Sequence, residues 1–152
     1  MARVDASREL ALWRAYEQAV FRVFDEGRPI TFRIGRTSAR LDKLLERHAA
    51  MRWAHITAWN PSSVPLPKAE NARRQRRLVA ELKGAGFTIL EGDGADPQGR
   101  WTPEPTAFVR GIGARDARRL GREYNQLAIV VGQRGKPPRL VACQPRPAKA
   151  GV

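Results

Sequence analysis

Seven side chains in this sequence carry more chemistry than connectors need: Asn60, Glu70, Asn71, Arg74, Trp101, Glu104 and Gln126. Asn60 ends the run Ala54-His55-Ile56-Thr57-Ala58-Trp59 and precedes Pro61. Its amide can both donate and accept hydrogen bonds to a ligand, although Asn-Pro is also a common turn pair. Glu70 and Asn71 fall in the first turn of a helix. Glu70 complements the helix dipole there, and the unpaired N–H groups of such a turn favour anions. Arg74, with Arg73 and Arg77 beside it, offers a fork for phosphate or carboxylate. A charge run on a helix is equally a solvated face. Trp101 lies in a Gly- and Pro-rich loop, where its ring either stacks on a planar ligand or pins the loop. Glu104 can accept from a base or sugar, or pair with an arginine. Gln126 opens a strand and can serve a ligand or the neighbouring backbone.

Other chemistries find little support. Asp93 and Asp96 sit among glycines, but their spacing is not that of an EF-hand. His48 and His55 have no Cys or His partners at zinc spacing. No metal site is therefore read. Neither Ser62 nor Ser63 sits on the strand-to-helix elbow of a hydrolase serine. Cys143 stands near the tail. No catalytic residue and no cofactor is identified.

The elements that must hold these residues follow from periodicity. Residues 7–20 read as a helix with Trp13 and Tyr16 as core anchors. Val20–Phe24 and Ile30–Ile34 alternate around a turn, which predicts a hairpin. A helix over 38–49 carries the stripe Leu41, Leu44, Leu45 and His48. Residues 53–59 predict a strand, with His55, Thr57 and Trp59 on one face and Ala54, Ile56 and Ala58 on the other. A helix from Pro67 to Gly84 follows, with Ala72, Val79 and Leu82 inward. Then come a strand at 87–90, a long acidic loop at 91–105, a strand at 106–112, a helix at 114–124, a strand at 126–131 and a last strand at 139–143.

From residue 53 the order is strand, helix, strand, strand, helix, strand. That predicts an α+β fold of ferredoxin-like (split βαβ) type, with an antiparallel sheet. The expected organisation is one domain over 1–143. Within it, 1–50 form a helix–hairpin–helix extension and 53–143 the βαββαβ core. Residues 144–152 form a flexible basic tail. In this topology the Asn60-Pro61 turn, the start of helix 67–84, the loop 91–105 and the Tyr124-Asn125-Gln126 junction meet at one end of the sheet.

The chain has 152 residues, 28 basic against 15 acidic, and a net charge of +13. The first fifty residues hold ten basic and seven acidic side chains, and the remainder eighteen and eight. An excess of this kind favours anionic partners. One cysteine excludes an internal disulfide, and the N-terminus lacks an apolar signal segment. No apolar run approaches a membrane span. A cytoplasmic location is expected.

Four separated segments carry a resemblance: ITAWNP, PLPKAEN, GDGADPQGRWTPEPT and REYNQLAIVVG. Over about residues 10–142 the chain resembles an uncharacterised bacterial domain-of-unknown-function family of small proteins. The resemblance implies no activity. It points to Asn60, Pro61, Glu70, Asn71, Glu104, Pro105 and Gln126. Pro67, Thr106 and Asn125 stand where the family pattern has Ser, Ser and Gly. The expected function is binding of a polar or anionic, nucleotide-like small molecule at one end of the sheet. The alternative is a nucleic-acid-binding module using Arg73, Arg77, Arg118 and Arg119, with His55, Trp59 and Phe108 as an RRM-like platform. A third reading is an adaptor for acidic protein partners.

Overall fold

The computed structural model describes residues 6–144. Four helices and seven strands alternate along it. They are α1 (Ala6–Gln18), β1 (Val20–Asp25), β2 (Arg28–Phe32), α2 (Ala39–Arg47), β3 (Arg52–Ile56), α3 (Lys68–Gly84), β4 (Thr88–Ala95), β5 (Glu104–Arg110), α4 (Ala114–Glu123), β6 (Ala128–Gln133) and β7 (Arg139–Ala142). A single 3-10 turn, Pro61–Ser63, joins β3 to α3. The expected tail lies outside the described residues, apart from Gln144.

All seven strands form one antiparallel sheet in the order β2-β1-β4-β5-β3-β6-β7. The fold is α+β, and the sheet curls into a half-barrel. Of the two places open to the hairpin, it extends the sheet, with β1 pairing with β4. The reason is that β4 is longer than 87–90. It runs on through Gly92-Asp93-Gly94, which the sequence places in a loop, and those residues pair with both β1 and β5.

Strand alternation buries both faces. On the convex face, α3 and α4 lay Leu78, Leu82, Ala117 and Leu120 against Ala54, Ile56, Ala107, Val109 and Val131. On the concave face, Leu41, Leu44 and Leu45 of α2 pack with Phe21, Phe32, Trp53 and Phe108. Ser38 caps α2, its hydroxyl accepting from Leu41 N–H at 3.2 Å. His48 closes that helix, 3.9 Å from Asp25. His55 and Phe108 are thus interior residues, 4% and 0% exposed. The RRM-like platform is corrected on that ground, because the curl closes the face over those side chains.

Three further expectations change. Helix α1 buries no residue, so Trp13 and Tyr16 are half-buried on its inner side rather than core anchors. The inward face of α3 is Asn71, Gln75, Leu78 and Leu82, not Ala72 and Val79. Strand β3 ends at Ile56, three residues early. Among the described residues no helix is long and apolar enough to cross a membrane.

The concave face holds an aromatic cluster. Trp53 stacks on Phe108 with ring centres 5.0 Å apart, and Phe32 meets Trp53 edge-on at 5.1 Å. Gly132 pairs across from Trp53, and a methyl group there would clash with the indole ring. Gly132→Ala should therefore cost about 1–3 kcal/mol by overpacking. Urea unfolding checks this; an unchanged midpoint would show that Trp53 has room to move.

Candidate functional site

After Ile56 the chain leaves the ladder, and the backbone groups of residues 57–60 need other hydrogen-bond partners. Helix α3 supplies them from its inward side chains. Ala58 N–H donates to Gln75 Oε1 at 2.8 Å. Arg74 Nε donates to the Ala58 carbonyl at 2.9 Å. Asn60 N–H donates to Asn71 Oδ1 at 2.8 Å. The Asn71 amide then donates to Asn60 Oδ1 at 2.7 Å and to the Leu66 carbonyl at 3.2 Å. Polar side chains buried on α3 thus act as a substitute strand edge. Asn71, 2% exposed, is the deepest of them.

The turn beyond is held in an uncommon backbone. Asn60, Ser62, Ser63 and Asn125 have φ of 44°, 54°, 57° and 54°. They are four of the six non-glycine residues with positive φ among the described residues. Ser62 N–H donates to the Asn125 carbonyl at 2.6 Å and Ser63 N–H to that of Asn60 at 2.9 Å, so all four meet at one corner. Left-handed backbone is costly for serine and milder for asparagine. Its concentration at one place is typical of functional corners. Asn125 stands at the glycine of the pattern, and its φ of 54° is one that glycine adopts without strain.

Beside this corner lies a cavity of about 240 Å³ between the concave face and α1. Asn60, Trp101, Glu104 and Gln126 line it, together with His55, Thr106, Trp59, Phe21, Tyr16 and Ser63. The floor comes from β3 and β5. Helix α1 forms the opposite wall through Leu12, Ala15 and Tyr16. The Tyr16 hydroxyl is hydrogen-bonded to Ser63, which ties α1 to the corner. Gly94 faces the Phe21 ring, and Gly92 leaves space beside His55 that a side chain would fill.

Three titratable groups in the wall are perturbed. His55 is wholly enclosed, and burial pushes its imidazole down to about 3. It is neutral at neutral pH. Its Nε2 is hydrogen-bonded to the Thr106 hydroxyl, while its buried Nδ1 has no partner among the described residues. The Glu104 carboxyl is raised by burial, with the Asn60 amide opposing that shift. Asn60 Nδ2 donates to Glu104 Oε1 at 3.0 Å. Burial also raises Tyr16, which feels the Glu104 charge.

The structure therefore divides the seven residues read from sequence. Asn60, Trp101, Glu104 and Gln126 surround the cavity. Gln126 is 8% exposed and donates to the Trp59 carbonyl at 3.2 Å. Asn71 and Arg74 lie behind the cavity and hold backbone. Arg74 spans the carbonyls of Ala58 and Tyr124, fastening the strand end to the end of α4. Glu70 is exposed in the first turn of α3 and does not line the cavity. Sequence reading missed His55, Thr106, Tyr16 and Ser63. The signal for His55 was available: it shares a strand face with Thr57 and Trp59, which lead to Asn60.

The basic residues lie elsewhere. Arg73 and Arg77 are exposed on α3 and Arg119 on α4, with Arg119 4.0 Å from Asp116. Arg118 is half-buried, and its Nε lacks a partner among the described residues. Cys143 is buried, its thiol pushed up to about 11, mainly by desolvation.

Fold and corner together define a small α+β domain with a walled cavity on the concave face of its sheet. The model of a family described as protein of unknown function (DUF3293) matches residues 56–129 of the chain. That span is shorter than the resemblance read over 10–142. It holds the corner, α3, β4, β5, α4 and Gln126, and leaves out α1 and the hairpin. No curated protein and no solved structure matches the chain.

His55 gives a pH test. Unfolded, it titrates near 6.5; folded, only near 3. As pH falls below 6.5 the unfolded chain takes up the proton first. The stability from neutral burial is thus complete above 6.5 and is lost toward 3. Between about pH 7.5 and about pH 5 the loss should be about 2 kcal/mol. Urea unfolding should show that decrement in the wild type and not in His55→Phe. Equal decrements would mean that His55 accepts a proton without unfolding.

Proposed function

We propose that this chain is a small-molecule-binding domain that holds one ligand between the concave face of its sheet and α1. The observation that carries the reading is the wall itself. A helix with no buried residue spans a cavity lined by a buried imidazole and a desolvated carboxyl. Unpartnered buried polar groups are costly. A concave apolar site with a few convergent polar groups is the usual form of a ligand pocket. The four inner strands β4-β5-β3-β6, with α3 and α4 on one face, are read here as a split βαβ unit whose end carries the site. A cytoplasmic location is part of the same reading, resting on the single cysteine.

A fragment panel followed by melting temperature tests it. A ligand at one hundred times its Kd stabilises by about 2.7 kcal/mol, which for a chain of this size is about 5–10 °C. Ala128, in the cavity wall, is the place to block it. The Ala128→Trp variant should lose the ligand-induced shift while keeping a cooperative melt. A shift of the same size in that variant would place the ligand elsewhere.

A second reading is nucleic-acid binding through the outer surfaces of α3 and α4. It is favoured by Arg73 and Arg77, which are exposed and form no ion pair with any described residue. Gel-shift titration of single- and double-stranded DNA and RNA should then show affinity falling steeply with salt. The Arg73→Gln/Arg77→Gln/Arg119→Gln variant should flatten that slope. No binding at low salt removes this reading.

A further inference from the structure

Resting on the cavity as a ligand site, we infer the class of ligand: a planar, uncharged or cationic molecule whose edge donates hydrogen bonds to Glu104, as an amide, an amidine or an amino-substituted heterocycle does. Four observations carry this. The first is the absence of cations. Among the described residues no Lys or Arg lines the cavity, despite a net charge of +13 for the chain. The nearby arginines are engaged: Arg22 with Asp93, Arg74 with two backbone carbonyls, Arg100 with Asp96. An anionic ligand would meet a carboxyl and find no counter-charge, and burying an unpaired charge is strongly unfavourable.

The second is the orientation of Glu104. Its Oε1 accepts from Asn60 Nδ2, and Asn60 is itself fixed by Asn71 and by Leu66 N–H, which donates to Asn60 Oδ1 at 3.1 Å. Oε2 has no protein donor among the described residues. The carboxyl is thus preset as an acceptor. A ligand N–H would supply what the protein does not, and a cationic head would favour the ionised form that burial disfavours.

The third is His55. Its ring lines the same wall with Nε2 already bonded to Thr106, and as a neutral imidazole it offers an anion no counter-charge. The fourth is shape. Tyr16, Phe21, Trp59 and Trp101 give the cavity aromatic sides. Its 240 Å³ is below the roughly 300–1,000 Å³ of drug-sized pockets. A single planar head group fits that space better than a whole nucleotide.

Three probes of one shape and different charge decide the matter: benzamidine, benzamide and benzoate. Each is titrated calorimetrically into the full chain and into Glu104→Gln, which keeps the side-chain shape. Benzamidine or benzamide should bind at least about tenfold tighter than benzoate, in keeping with the strength of charge-assisted pairs. Glu104→Gln should weaken benzamidine by about tenfold and leave benzamide within about threefold. Benzoate binding as tightly as benzamidine, with both lost in Ala128→Trp, would overturn the ligand class and leave the cavity standing. Undiminished benzamidine affinity in Glu104→Gln would also overturn it. If none of the three binds and the fragment panel also gives no shift, the cavity reading itself falls.

Discussion

The structure depends on a substitution of hydrogen-bond partners. Strand β3 runs out of neighbours at Ile56, and the next backbone groups are paired by Asn71, Arg74 and Gln75 of α3. Each of these bonds is worth only about 1 kcal/mol net, but leaving such a group buried and unpaired costs more. The arrangement also determines position. Because Asn60 accepts from Asn71 and donates to Glu104, the end of β3, the start of α3 and the start of β5 are registered to one another through two amides. Arg74 extends the same register to the end of α4 through the Tyr124 carbonyl. Were α3 lined with leucines here, it would bury more apolar surface and hold none of these elements at the corner.

A second constraint is the curl of the sheet. Seven strands with both faces covered need large side chains on the concave side and room opposite them. The rings of Phe21, Phe32, Trp53, His55 and Phe108 fill that side. Gly92, Gly94 and Gly132 make the room, each under one of these rings. The cluster stops short of the corner, and α1 closes the remaining gap without entering it. The cavity is thus the part of the concave face that the aromatic core leaves unfilled.

Much of this was legible, for identifiable reasons. The two helices packed on the convex face, the hairpin and the α2 stripe follow from periodicities of 3.6 and 2 that tertiary context left intact. The meeting of Asn60, Glu104 and Gln126 followed from strand order alone. The misses share a cause. Glycines in β4 read as a loop, because pairing on both edges of a glycine strand leaves no mark in composition. Asn71 and Gln75 broke the apolar stripe of α3, so the buried face was read one step round the helix. His55 read as outward because a curled sheet has no solvent side for its alternation to report. Arg74 looked like a ligand group because sequence shows a charge and not the two carbonyls it spans.

The distribution of charge limits function more tightly than its total. A surplus of thirteen positive charges suggests anions, and α3 and α4 carry part of that surplus on their exposed faces. The cavity belongs to the opposite face of the sheet, and its one carboxyl is desolvated beside a neutral imidazole. Coulomb interaction between the two surfaces is weakened by distance and by salt on the solvent side, where the screening length is about 8 Å. The basic exterior therefore says little about what enters the cavity. An anion drawn to the outer helices gains nothing from Glu104, and a donor-edged neutral ligand gains nothing from the arginines. The chain offers two chemically independent surfaces, and a loss at one need not appear at the other.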